Sequence, residues 1–165
     1  MNPFASGDAQ FDDPDEFVPG HLPEPGPMLE GHRVLSGDEH VGVHTSVRDA
    51  FEACGVYDAT FGYNLARLNE DRRHPEAGFR YAEDGADPGT LRVAFTPTTV
   101  FCPQGEVLAV GAFRALVREC DRLPYDRVRV RIAAHHGEQS VNERLADLEE
   151  HVEERGSLPE PNPFG

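Results

Sequence analysis

Hydrophobic and polar positions alternate most regularly late in the chain. Arg127-Val128-Arg129-Val130-Arg131-Ile132 puts branched apolar residues on one side and arginines on the other, the period of a half-buried strand. Leu91-Arg92-Val93-Ala94-Phe95-Thr96 carries a similar alternation and predicts a second strand. Between them the period lengthens. From Gln104 to about Asp121, Val110, Phe113, Val117 and Cys120 share a helical face with Leu116 beside them, and Arg114, Arg118, Asp121 and Arg122 lie opposite. Leu123-Pro124 breaks this helix. A last helix follows the loop 133–139. Ser140 and Glu143 read as a capping box, Val141, Leu145, Leu148 and Val152 as the apolar stripe, and Gly156 as the stop.

Upstream the pattern is weaker. Ser46 with Asp49 resembles an N-cap, and a short helix through Ala53 stops at Gly55. Val56 to about Arg67 mixes aromatic, β-branched and polar residues and predicts a first strand. Residues 69–90 read as a long polar connection holding a short extra strand around Phe79 to Ala82. The predicted order is helix, strand, strand, helix, strand, helix. This is an α/β (α+β) two-layer domain over residues 39–156, a small sheet with helices on one face. Residues 1–38 are rich in Pro, Gly, Asp and Glu and predict a disordered acidic tail. Phe4, Phe11 and Phe17 are its docking anchors on the sharper reading. Residues 157–165 share that composition and that expected fate.

Charge narrows the partners. Thirty acidic residues against fifteen basic ones, all arginine, give a net charge of −15 in 165 residues. An acidic chain without lysine suits a high-salt cytoplasm and argues against nucleic-acid binding, which needs surplus positive charge. Cys54, Cys102 and Cys120 show no paired spacing, which predicts a reducing interior rather than a disulfide framework. With no signal peptide and no long apolar run, the expectation is a soluble cytoplasmic protein with no membrane partner.

The chemistry concentrates at Thr96-Pro97-Thr98-Thr99-Val100-Phe101-Cys102-Pro103, where strand gives way to helix. Pro103 fits the first helical position, which puts Cys102 at the N-cap with the N–H groups of Gln104 and Gly105 toward its sulfur. The helix dipole favours a thiolate there, and a thiolate is both nucleophile and metal ligand. The plainer reading of Cys102 is a small buried filler. Cys54 and Cys120 read as packing. If the last strand lies beside the Leu91 strand, the His135-His136 loop emerges at the same sheet end, making His135 with Glu138 the second candidate. His40 and His44, four apart, fall ahead of the predicted first helix. Arg127, Arg129 and Arg131, joined by Arg92, either pair with carboxylates or form a basic sheet face for an acidic partner or RNA.

Val93-Ala94-Phe95-Thr96-Pro97-Thr98 followed by Cys102 resembles the Thr-Pro-Thr…Cys signature of the SufT/PaaD-like metal–sulfur cluster assembly family, which includes the cytosolic iron–sulfur targeting factors. His135, Glu138, Val141, Asn142, Leu145, Ala146 and Asp147 resemble its downstream segment, and Gly55-Val56-Tyr57-Asp58 the lead-in to its first strand. The resemblance spans roughly residues 46–155. It implies an assembly or targeting factor rather than an enzyme in the usual sense. Cys102 would be the functional thiol, Thr96, Thr98, His135, Glu138 and Asn142 supporting groups, and Cys102 with His135 the metal contacts. The cargo it implies is an iron–sulfur cluster or iron, held transiently. Cluster-assembly proteins, apo-client proteins or a second copy in a homodimer would be the partners. One departure is the absence of the family's usual Asp-Pro-Glu motif between first helix and first strand. The rivals are a thiol-dependent redox enzyme using Cys102 and a non-catalytic interaction module using the arginine face.

Overall fold

A computed structural model describes residues 11–12, 16–57, 62–74, 76–99, 101 and 104–156, the Cys120 side chain apart. Its elements are β1 (Arg33–Val34), α1 (Gly37–Cys54), β2 (Gly78–Glu83), β3 (Thr90–Thr96), α2 (Gly105–Arg118), β4 (Arg127–Ile132) and α3 (Glu138–Arg155). Short 3-10 turns occupy Pro19–His21, Leu65–Glu70 and Cys120–Arg122. The strands lie in the order β1-β2-β3-β4. The first three are antiparallel, and β4 runs parallel to β3, the pairing that the α2 crossover allows. The protein is a small α+β domain.

Alternation decides the two faces of the sheet. Leu91, Val93 and Phe95 of β3 stand beside Val128, Val130 and Ile132 of β4, and with Phe79 and Tyr81 they make one apolar face. Val47 and Phe51 of α1, Leu108, Phe113 and Leu116 of α2, and Val141 and Leu145 of α3 close over it. The Phe79 and Phe95 rings stack 4.9 Å apart at its centre. Burying each such side chain contributes about 1.5–3 kcal/mol. β4 is an edge strand, and α3 seals it. The Asn142 side chain accepts from the Ile132 N–H at 2.8 Å and donates to the Ile132 carbonyl at 3.0 Å, standing in for a further strand.

The opposite face carries a strap formed by residues 16–32. Leu29 seats between Ala82 and Ala94, with Met28 and Val34 alongside. Arg80 donates to the Pro23 carbonyl at 3.1 Å and Arg92 to the Met28 carbonyl at 3.4 Å. The unpacked tail expected over 1–38 is therefore corrected for its described part: Leu29 and Leu35 are 0% and 1% exposed. Two alanines leave room for a leucine that its own proline-rich neighbourhood could not bury. Phe11 and Phe17 do dock, within their own chain: Arg67 lies 3.9 Å over the Phe11 ring and Phe17 packs 4.9 Å from His40. Phe4 and residues 157–165 lie outside the described residues.

Other boundaries move for local reasons. α1 begins at Gly37, with Ser36 at its N-cap and Asp38 and Glu39 complementing the dipole in its first turn. Ser46 instead donates to the Gly42 carbonyl inside the helix, and Gly55 ends it in the left-handed conformation at φ 71°. No strand forms over Val56–Arg67 among the described residues. Asn64 accepts from the Ala66 N–H at 3.0 Å, starting the 65–70 turn, and donates to the Arg48 carbonyl, pinning that turn to α1. β2, the expected minor strand, fills the place in the sheet, so the predicted order of main elements holds. α2 starts at Gly105 with Gln104 as N-cap, the position expected for Cys102. α3 starts at Glu138 after Gly137, which leaves Ser140 inside the helix and no capping box.

Candidate functional site

Because β3 and β4 are parallel and Phe95 pairs with Ile132, both strands end at one edge of the sheet. The turns that follow them leave side by side. A cleft of about 910 Å³ opens there, lined by Thr96, Pro97, Thr98, Thr99, Ala133 and Ala134. Arg73, His74, Glu76 and Ala77 line it too, and so do strap residues from Pro19 to Pro27. Ala134 has φ 50°, a left-handed conformation costing about 1–3 kcal/mol for a residue with a Cβ, and it turns the chain from β4 toward α3.

Of the residues named from sequence, Thr96 and Thr98 line this cleft. His135 Nδ1 accepts from the Gly137 N–H at 3.0 Å. Its ring packs against the first turn of α2, where a Cβ on Gly105 would lie 2.7 Å from His135 Nε2 and 3.1 Å from Ile132 Cδ1. Only glycine permits that approach without displacement. The His136 ring lies 4.5 Å from that of His135 and 5.5 Å from that of Phe101, which is 75% exposed. The histidine loop thus reaches the residue next to Cys102. Cys102 and Pro103 themselves lie outside the described residues. Glu138 and Asn142 line a separate cavity of about 150 Å³ with Pro25, Met28 and Arg131, and Asn142 is already committed to Ile132. Among the described residues, no three His, Cys, Asp or Glu side chains form a group that could hold a metal ion.

The arginine row is matched from within. Arg131 pairs with Glu149, Arg129 and Arg127 reach Glu153 at 3.4 and 3.7 Å, and Arg92 meets Asp84 at 2.7 Å. Burial still raises the Glu149 carboxyl, although Arg131 opposes it. Behind the cleft-lining Arg73, burial would raise Asp71. Donors from Arg73 and Tyr63 overcome it and hold that carboxyl down at about 2. An open basic docking face, one of the sequence expectations, is not what β4 presents.

A second polar group sits under the strap and was not singled out from sequence. His40 and His44 lie on the buried face of α1, their rings stacked 5.7 Å apart. The Ala66 carbonyl can only accept, so His44 carries its proton on Nε2, 2.9 Å away, and Nδ1 accepts from the Tyr81 hydroxyl at 2.5 Å. Burial pushes the Tyr81 hydroxyl well up, which keeps it a donor. Glu70 is buried 3.5 Å from His44 Nε2. The signal was present in the spacing: His40, Val43, His44, Val47, Ala50 and Phe51 form one 3–4 stripe, in which the histidines take core positions.

No helix among the described residues is long and apolar enough to cross a membrane. A family model described as a domain of unknown function (DUF7998) matches residues 9–159. No curated protein and no solved structure matches the chain.

Proposed function

The chain belongs to the DUF7998 family, a domain of unknown function, and we propose that it acts as an assembly or targeting factor for iron–sulfur clusters. In this reading Cys102 is the transient thiol contact at the strand-end cleft, in a reducing cytoplasm. The observation that carries the reading is the parallel register of β3 and β4. It brings the Thr96–Thr99 turn, which leads toward Cys102 in the chain, and the His135–His136 loop to one edge of the sheet, and both belong to segments behind the SufT/PaaD-like resemblance. Phe101 against His136 marks their meeting. The strand-helix-strand-helix run of β3, α2, β4 and α3 is in keeping with the resemblance, whereas among the described residues its first strand falls at β2 and not after 55–58, and β1 precedes the set.

The cluster is cargo. One cysteine cannot complete the four thiolate ligands a cluster takes, so the remaining ligands come from a second copy or from an apo-client. His135, packed on the first turn of α2, is the nitrogen contact of this reading, and Thr96 and Thr98 line the cleft. Asn142 acts from outside it by tying α3 to β4, and Glu138 lines the neighbouring cavity.

Anaerobic mixing of the full chain with ferrous iron and sulfide tests this. Wild type gives thiolate-to-iron charge-transfer absorption and passes a cluster to an apo-ferredoxin, and Cys102→Ala does neither. Equal absorption and transfer by Cys102→Ala overturns the reading. Turnover of peroxide or a disulfide without iron, lost in Cys102→Ala, replaces it with a thiol enzyme.

A further inference from the structure

Two polar groups are sealed beneath the strap with less than they need. His40 is 3% exposed and its Nδ1 has no hydrogen-bond partner. The Phe17 ring of the strap lies 4.9 Å from it and the Tyr81 ring 5.3 Å on the sheet side. Arg80 is 8% exposed, with Nε unpartnered. Its guanidinium donates to the Pro23 carbonyl and sits 5.7 Å from the Phe17 ring, and no carboxylate among the described residues pairs with it. A cation buried against a carbonyl and a ring face keeps most of its desolvation cost. The strap therefore closes at a cost, over an uncompensated guanidinium and an imidazole that would take a proton in water. Leu29, two arginine-to-carbonyl hydrogen bonds and Phe17 hold it down.

We propose that residues 16–32 form a proton-released gate: protonation of His40 expels Phe17, lifts the strap from α1 and β2, and opens the cleft wall between Pro19 and Pro27. This concerns access to the cleft and holds whatever chemistry the cleft carries.

The direction follows from linkage. Under the strap His40 is held down at about 3, first by burial and then by His44 and Arg80. Uncovered, it moves back toward the roughly 6.5 of a free imidazole, which sets the upper limit of the effect. The closed state binds fewer protons, so closure is complete above about 6.5 and is lost as pH falls below that value toward 3. One such group shifts the open-to-closed ratio about thirtyfold between pH 7.5 and pH 5. Its titratable neighbours do not cancel this. His44 is engaged by Ala66 and Tyr81, and Glu70 turns toward His44 and Arg48. Asp12 and Glu16 border the small cavity beside His40, but Asp12 already receives His21 at 2.9 Å and Arg72 at 2.7 Å. The test isolates His40 from these neighbours by substituting it alone.

Amide hydrogen exchange on the full chain at pH 7.5, 6.5 and 5.0, corrected for intrinsic rates, reads the gate. Wild-type protection at the strap amides of 20–22 and 28–32 falls up to about thirtyfold over this range while β3 and β4 keep theirs. His40→Phe keeps strap protection level across pH, and Phe17→Ala loses it at every pH. Unchanged strap protection in wild type, the same pH slope in His40→Phe, or parallel loss from β3 and β4 overturns the proposal. Should His40→Phe not fold, an NMR titration of the wild-type His40 ring decides. Protonation coincident with strap release supports the gate, and protonation at full protection overturns it.

Discussion

The two faces of the sheet are secured by different physics. The helix face is aliphatic and aromatic: Phe79, Phe95, Val93 and Val130 meet three helices, and its stability comes from apolar area withdrawn from water. The strap face presents Arg80, Ala82, Arg92 and Ala94 to a segment that offers one leucine and two carbonyls. A face held by packed area opens only when the protein unfolds. A face held by a few polar contacts over buried charge can open while the rest stays folded. The cleft borders the strap face and the strand ends, so its access depends on the weaker side.

Substitution can break this contrast. Phe95→Ala, at the centre of the helix face, costs about 4 kcal/mol and lowers a single cooperative denaturation midpoint. Leu29→Ala costs about 2 kcal/mol, at the low end for a buried leucine because the strap can settle into the gap. Its signature in hydrogen exchange is loss of protection in the strap with β3 and β4 unchanged. Equal and global losses from both variants would mean that the faces form one cooperative unit. A smaller change sharpens the picture at the sheet edge. Asn142→Leu leaves the Ile132 N–H and carbonyl unpaired and costs about 1–3 kcal/mol, read as a shift in urea midpoint. No shift would show that water serves β4 equally well.

What the sequence disclosed follows the same division. β3, α2, β4 and α3 were legible because their apolar stripes continue over one or more full periods and face one core. α1 was shortened because His40 and His44 read as polar, although they occupy its buried stripe. The strap was read as tail because Leu29 and Leu35 are isolated among prolines and glycines. Leu29 is buried by Ala82 and Ala94 and Leu35 by the helix-face core beside the β1–β2 pairing, which no local window contains. Val56–Arg67 has strand composition, but at its described end Asn64 caps the Leu65–Glu70 3-10 turn through bonds to Ala66 and Arg48. At the site, the expectation that the His135 loop joins the Thr96 turn holds because β3 and β4 are neighbours. The helix cap did not fall on Cys102, since α2 begins later, at Gly105. The placement of Glu138 and Asn142 in their own cavity required the turn at Ala134.

Competitive alkylation decides whether Cys102 is the reactive thiol proposed above. The folded chain is treated with limiting iodoacetamide at pH 7, quenched, and the modified cysteines are counted by peptide mass. Cys102, next in the chain to exposed Phe101, is predicted to react before Cys54 and Cys120. A Cys102 that stays unmodified until the protein unfolds would contradict the claim.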